Sequence, residues 1–162
     1  MKTPAIKLRI GHGYDIHRLQ AGGKLILAGV EVSREMSPIA HSDGDVVIHA
    51  LVDAFLGALG MGDIGEWFPN TEPKWKDASS QLFLEDVYGK VRGAGYALVN
   101  ADITVLAERP KLHPFKHNMQ GVLTNLLGGN INIKAATNEG CDAVGRGEAI
   151  AAHAVVLLAA RV

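Results

Sequence analysis

Apolar and polar residues alternate over residues 6–17 (IKLRIGHGYDIH) closely enough to predict a strand, and 24–32 (KLILAGVEV) reads as a second. Ala21-Gly22-Gly23 is turn material between them, so an antiparallel pair is expected. From Ser42 the period changes. Val46, Val47, Ala50, Leu51, Ala54, Phe55 and Leu59 recur at helical spacing, with Ser42 or Asp43 available as the cap. Residues 60–77 (GMGDIGEWFPNTEPKWKD) are rich in Gly and Pro and carry both tryptophans, which predicts a long loop suited to substrate contact. Ser79 or Ser80 opens a second helix to about Gly93, and 96–107 is a strand ended by Glu108-Arg109-Pro110. Pro114 starts a third helix to Leu127, Gly128-Gly129 stops it, and 130–137 is a strand. The apolar run 149–160 (AIAAHAVVLLAA) has alanines that suit a helix, but its length and Val-Val-Leu-Leu centre favour a buried strand, which is the reading adopted. No repeat, low-complexity segment or linker interrupts the pattern. Strands and helices are therefore expected to share one core, an α+β fold in a single compact domain over residues 1–162.

Composition narrows the function. Sixteen Lys and Arg against 17 Asp and Glu give a net charge of −1, without the basic footprint that a nucleic-acid backbone requires. No apolar run approaches about 18 residues, and the start Met1-Lys2-Thr3-Pro4-Ala5 lacks the apolar centre of a signal peptide. No nucleic-acid or membrane partner is expected, and the expected compartment is the cytoplasm. One cysteine, Cys141, cannot form an internal disulfide, and seven histidines direct any metal site towards nitrogen and oxygen donors.

Asp15-Ile16-His17 is the first candidate for chemistry. Residues two apart on a strand share a face, so a carboxylate oxygen and an imidazole nitrogen can converge on one ion. A strand-end Asp beside a surface His explains the pair equally well. His49 is the natural third ligand. It lies in a stripe with Asp45 and Asp53, four residues apart, which faces either solvent or the Asp15-His17 strand. In the second case an Asp-His-His site with one open position results, the pattern of catalytic zinc. His12 has the opposite strand parity and is expected on the other face of the sheet. His41-Ser42 precedes a helix start, where phosphate is favoured and plain capping is the alternative. Gly62-Asp63-Ile64-Gly65 allows close backbone approach and offers a carboxylate to hydroxyl groups. Glu108 to His113 and Thr137-Asn138-Glu139 each follow a strand, where the first could wall a nucleotide or form a charged turn. Glu139 would suit Mg²⁺ shared with phosphates. Gly145-Arg146-Gly147-Glu148 is either an Arg–Glu turn pair or an anion-binding Arg.

In order and spacing, G-H-G-Y-D-I-H at 11–17, A-H-S-D-G-D-V-V-I-H at 40–49, G-D-I-G-E-W-F-P-N-T-E-P at 62–73, A-E-R-P-K-L at 107–112, and T-N-E and G-R-G-E near the end resemble the 2-C-methyl-D-erythritol 2,4-cyclodiphosphate synthases of the non-mevalonate isoprenoid pathway. The resemblance spans nearly the whole chain. It departs at 140–144, where a bulky aromatic position of that family is Ala143. It implies a mixed β-sheet with helices packed on one face, the sheets of three copies meeting around a threefold axis in a homotrimer with active sites between subunits.

The same resemblance implies Zn²⁺, or another divalent transition metal, on Asp15, His17 and His49, and Mg²⁺ or Mn²⁺ on Glu139. The substrate would be 4-diphosphocytidyl-2-C-methyl-D-erythritol 2-phosphate. His41 and Thr137 would stabilise its phosphates in the transition state, with Ser42 beside them. Asp63, Ile64 and Gly65 would hold the erythritol portion, extended by Phe68, Pro69, Asn70, Thr71 and Glu72. The cytidine would lie against Ala107, Pro110, Lys111, Leu112, His113, Ala136, Thr137 and Asn138 of a neighbouring subunit. Arg146 would contact anions and face an axial cavity able to hold an isoprenoid diphosphate. The compartment would be the cytoplasm, or a plastid if a transit peptide had been removed. Two other readings fit the metal ligands: a phosphohydrolase using an activated water, and a noncatalytic trimer that binds isoprenoid diphosphates.

Overall fold

The computed structural model describes residues 7–161. The expectations about Met1 to Ala5, and the first residue of the 6–17 strand, lie outside the described residues. The main sheet has five strands: β1 (Leu8–Ala21), β4 (Met36–Pro38), β5 (Tyr96–Leu106), β6 (Asn130–Ala136) and β7 (Ala149–Ala160), in the order β4-β1-β7-β5-β6. Only β5 and β6 are parallel, so the sheet is mixed. β7 is hydrogen-bonded on both sides, to β1 and to β5, and most of its side chains are buried, as an apolar run at 149–160 implies.

The expected pairing of 6–17 with 24–32 is not found. Residues 24–32 divide into β2 (Leu25–Leu27) and β3 (Val30–Ser33), which pair only with each other. Ala28 and Gly29 take φ values of 50° and 75° and reverse the chain. Their N–H groups donate to the buried Asp45 carboxylate at 3.0 and 2.8 Å, which fastens the hairpin to the start of a helix rather than to β1. β1 itself runs four residues past His17, and the turn is confined to Gly22-Gly23.

α1 (Val46–Leu59) is capped by Asp45, not by Ser42 or Asp43. α3 (Ser80–Gly93) matches its expected limits, while a 3-10 turn at His113–Phe115 precedes α4 (Lys116–Leu127). The expected loop 60–77 contains the short α2 (Ile64–Trp67) and a 3-10 turn at Pro73–Trp75. A further single turn, α5 (Asp142–Gly145), has no periodic signal because it is too short to show one.

α1 lies directly on β1 and β7. Gly11 and Gly13 make this approach possible, because a Cβ on either would stand 1.8 Å from the carbonyl oxygen of Ala54 or Ala50. Leu51, Phe55, Ile103, Ile133, Ile150 and Val156 are among the residues that fill the core beneath. The same parity carries Asp15 and His17 onto the helix side of the sheet, beyond the two glycines and level with the first turn of α1.

Candidate active site

His49 sits in the first turn of α1 and points at β1. The stripe of Asp45, His49 and Asp53 therefore does not face solvent. Asp45 is wholly buried as the cap, His49 is 8% exposed, and Asp53 accepts the Ile64 N–H at 2.7 Å. Asp15 Oδ2 lies 3.0 Å from His17 Nε2 and 3.0 Å from His49 Nδ1, and the two nitrogens are 3.2 Å apart. Three donors on a triangle of this size fit a divalent ion. Tetrahedral zinc with bonds of about 2.0 Å spaces its ligands about 3.3 Å apart, and three protein donors leave a fourth position open.

Charge supports the same reading. Burial pushes the Asp15 carboxyl up, but hydrogen bonds with His17 and His49, and their charge, outweigh it and hold the group below its ordinary range. Burial pushes His49 down, yet the Asp15 hydrogen bond and the charges of Asp15, Asp45 and Asp43 carry it above the usual imidazole value. The pocket thus holds a concentration of negative charge that favours any cation, a proton included.

The triangle opens into a cleft of about 340 Å³. His41, Ser42, Ile64, Gly65, Phe68, Pro69 and Asn70 line it together with the three donors, so this half of the sequence-derived set is brought together. His41 Nε2 is 3.4 Å from the Glu72 carbonyl, and Asp63 caps α2 by accepting the Glu66 N–H. Thr71 and Glu72 continue the same exposed segment.

Sequence reasoning did not select Trp75 and Phe83. Phe83 stacks on Phe68 at a ring-centroid distance of 4.5 Å, Trp75 meets both rings edge-on at 5.3 Å, and the three form the apolar wall of the cleft. Phe83 lies on the buried side of an amphipathic helix and so looks like any core residue, whereas a tryptophan inside a Gly/Pro-rich loop was a usable signal for Trp75. Asp43 and Ser80, which stand behind His49, read in the sequence only as helix-start residues.

The second half of the set lies elsewhere. Ala107 and Ala136 are joined by a hydrogen bond of 3.0 Å at the ends of the parallel strands β5 and β6. This bond sets the start of the segment after β5 beside the start of the segment after β6. Glu139 Oε1 accepts from Thr137 Oγ1 at 3.4 Å, and the Asn138 N–H reaches Glu108 at 3.4 Å. Leu112 is buried and belongs to the core, so its side chain is not presented to a ligand. None of these residues lines the metal cleft. In sheet order β5 and β6 stand two and three strands from β1, roughly 10 and 14 Å at the usual strand spacing. Arg146 is in neither group. It pairs with Glu148 at 3.0 Å on the wall of a separate cavity shared with Arg18 and Arg109. Ala143 packs beside the small buried group of Val144, Ala149 and Ala151.

The sequence model of the YgbB family matches residues 8–159, from the first residue of β1 almost to the end of β7. The chain belongs to the YgbB family. A YgbB relative in Vibrio cholerae, named 2-C-methyl-D-erythritol 2,4-cyclodiphosphate synthase, is 50% identical over 93% of this chain and 98% of its own length. The chloroplastic protein of that name from Oryza sativa is 46% identical over 97% of this chain and 72% of its own. Among solved structures, the CDP complex of IspF from Plasmodium falciparum superposes with a TM-score of 0.84. It shares 33% identity and covers 96% of this chain and 97% of the other. The YgbB fold therefore accounts for the mixed sheet and its helical cover.

Proposed function

We propose that this chain converts 4-diphosphocytidyl-2-C-methyl-D-erythritol 2-phosphate into 2-C-methyl-D-erythritol 2,4-cyclodiphosphate and CMP. The observation that carries the proposal is the Asp15, His17 and His49 triangle at the mouth of a cleft, in a chain that matches the YgbB model from 8 to 159. An oxygen of the 2-phosphate attacks the β-phosphorus, the bond from that phosphorus to the CMP oxygen breaks, and the ring closes within one molecule. No water is consumed, which makes the reaction a phosphorus–oxygen lyase reaction.

Nucleophile and electrophile arrive already joined, so the main task of the protein is to fold the substrate into line. Orientation of this kind supplies roughly 7–11 kcal/mol in favourable intramolecular cases. Asp63, Ile64 and Gly65 hold the erythritol portion at the start of α2, and the segment from Phe68 to Glu72 closes over it. The wall of Phe68, Trp75 and Phe83 excludes water from the reacting phosphates. His41 and Thr137 donate to phosphate oxygens. Asp15, His17 and His49 would hold Zn²⁺ or a similar ion, and Glu139 would hold Mg²⁺ or Mn²⁺. Bound there, such ions supply Lewis-acid neutralisation of the crowded phosphates.

The separation of the two residue groups supports a site shared between copies. Thr137, Glu139 and Lys111 do not reach the cleft of their own chain, so a neighbouring copy would supply the nucleotide wall. The sheet face opposite α1 offers the contact surface. Ile10 is 71% and Tyr14 45% exposed there, with Leu8, Ile16 and Val155 beside them, an apolar patch suited to burial in a homotrimer. Arg146 would then face the axis of that assembly and meet an isoprenoid diphosphate there. Among the described residues, no helix is long and apolar enough to cross a membrane.

The test is incubation with the cytidylated substrate and divalent metal, followed by phosphorus NMR. Cyclic diphosphate and CMP are expected. A linear erythritol bisphosphate would instead mark a phosphohydrolase, and binding without turnover in metal-replete protein would mark a noncatalytic trimer.

A further inference from the structure

His49 is held from behind as well as in front. Its Nδ1 faces Asp15 and His17, while Nε2 lies 2.8 Å from Ser80 Oγ and 3.2 Å from Ser42 Oγ. Ser80 is fully buried, and its hydroxyl donates to Asp43 Oδ1. Asp43 is itself fixed. Its Oδ2 accepts the Ser80 N–H at 3.0 Å, and its Oδ1 accepts the Asp45 N–H at 3.2 Å. A serine hydroxyl has one hydrogen, and here the carboxylate takes it. Only lone pairs remain for the imidazole, so His49 Nε2 must be the donor and carry the hydrogen. Ser42 imposes no such choice, because its oxygen accepts from the Gly44 N–H and, among the described residues, its hydroxyl is bonded to no carboxylate.

We infer that Ser80 and Asp43 are positioning residues that fix His49 in the Nε2–H tautomer and turn the bare Nδ1 towards a divalent metal beside Asp15 and His17. The inference rests on the metal reading above and adds a part to it. Asp43 precedes α1 and Ser80 begins α3, so one hydrogen-bonded chain ties both helix starts to the Nε2 edge of His49, opposite its metal-facing Nδ1. Outer partners of metal-bound histidines set ring orientation and basicity, and losing one typically lowers metal affinity 10- to 100-fold.

The test is Zn²⁺ affinity of the full chain, measured by competition with a chromophoric chelator, for wild type, Ser80→Ala, Asp43→Asn and Ser42→Ala. Ser80→Ala should bind zinc about 10- to 100-fold more weakly. Asp43→Asn, which keeps the shape but not the charge, should lose about tenfold. Ser42→Ala should change affinity less than either. Nitrogen-resolved proton spectra of the zinc-loaded protein give a readout that a packing defect would not mimic. The His49 Nε2–H should exchange slowly in wild type and Ser42→Ala and fast in Ser80→Ala. Zinc bound by both Ser80→Ala and Asp43→Asn as tightly as by wild type would overturn the inference, as would an equal loss in Ser42→Ala. If Ser80→Ala does not fold, Asp43→Asn decides alone. Wild-type protein that binds no zinc would overturn the metal reading itself, a different result from zinc bound equally by all four proteins.

Discussion

At Asp45, four backbone N–H groups converge on one buried carboxylate: Ala28 and Gly29 from the hairpin, Val47 and Ile48 from the helix it caps. Burial pushes this carboxyl up to about 6, helped by the charge of Asp43, although the N–H bonds oppose the shift. The folded state therefore holds a proton more tightly than the unfolded chain, whose value is near 3.8. What Asp45 contributes to stability is largest below about pH 4 and falls as pH rises through 6. In denaturation curves from pH 4 to 7, the advantage of wild type over Asp45→Asn should shrink with rising pH by about 3 kcal/mol at most. His49 works in the opposite sense for metal. Its raised value means that zinc must displace a proton near neutrality, so zinc affinity should increase as pH rises from 6 to 8 in a chelator competition. His49→Ala should lose zinc and CMP release while keeping its secondary structure by circular dichroism. Strand and helix periods made Asp15, His17 and His49 candidates at this scale, and only the family resemblance grouped them as one site. The choice between solvent and sheet for the His49 stripe needed the tertiary structure, and so did Asp43 and Ser80, whose role depends on two helix starts meeting.

The long periodic elements were legible: α1, α3, β5, β6 and β7 all lie within a few residues of the pattern that predicts them. The errors have one physical cause, the reach of local signals. Apolar residues from 24 to 32 read as one strand because the Ala28-Gly29 reversal depends on a carboxylate 16 or 17 residues later. β4 is three residues long, and its pairing with the end of β1 has no local signature. The close contact of α1 with β1 yields a direct prediction. Gly13→Ala must push Ala50 and its turn away, and it should destabilise the fold by about 3 kcal/mol in urea, towards the upper end of overpacking costs. Because Asp15 and His17 follow on the same strand, zinc binding should weaken with it.

For the whole molecule, the resemblance implies sites shared between neighbouring subunits, and within one chain the motifs do stand as separate groups at different places on one sheet. Near-neutral charge and an exposed apolar sheet face fit that division, since copies can then associate without broad repulsion. If the proposed trimer forms through this face, Ile10→Asp, which lies on it and on the opposite side of β1 from the metal donors, should leave only monomers by light scattering. It should abolish turnover while leaving zinc binding within a few-fold of wild type. Monomeric protein with full turnover would show that one chain suffices. Ring closure at a metal-dependent site is decided by phosphorus NMR of the cytidylated substrate with and without chelator. Cyclic diphosphate and CMP are expected with metal present and neither after chelation. Undiminished cyclic product from demonstrably metal-free protein would contradict it.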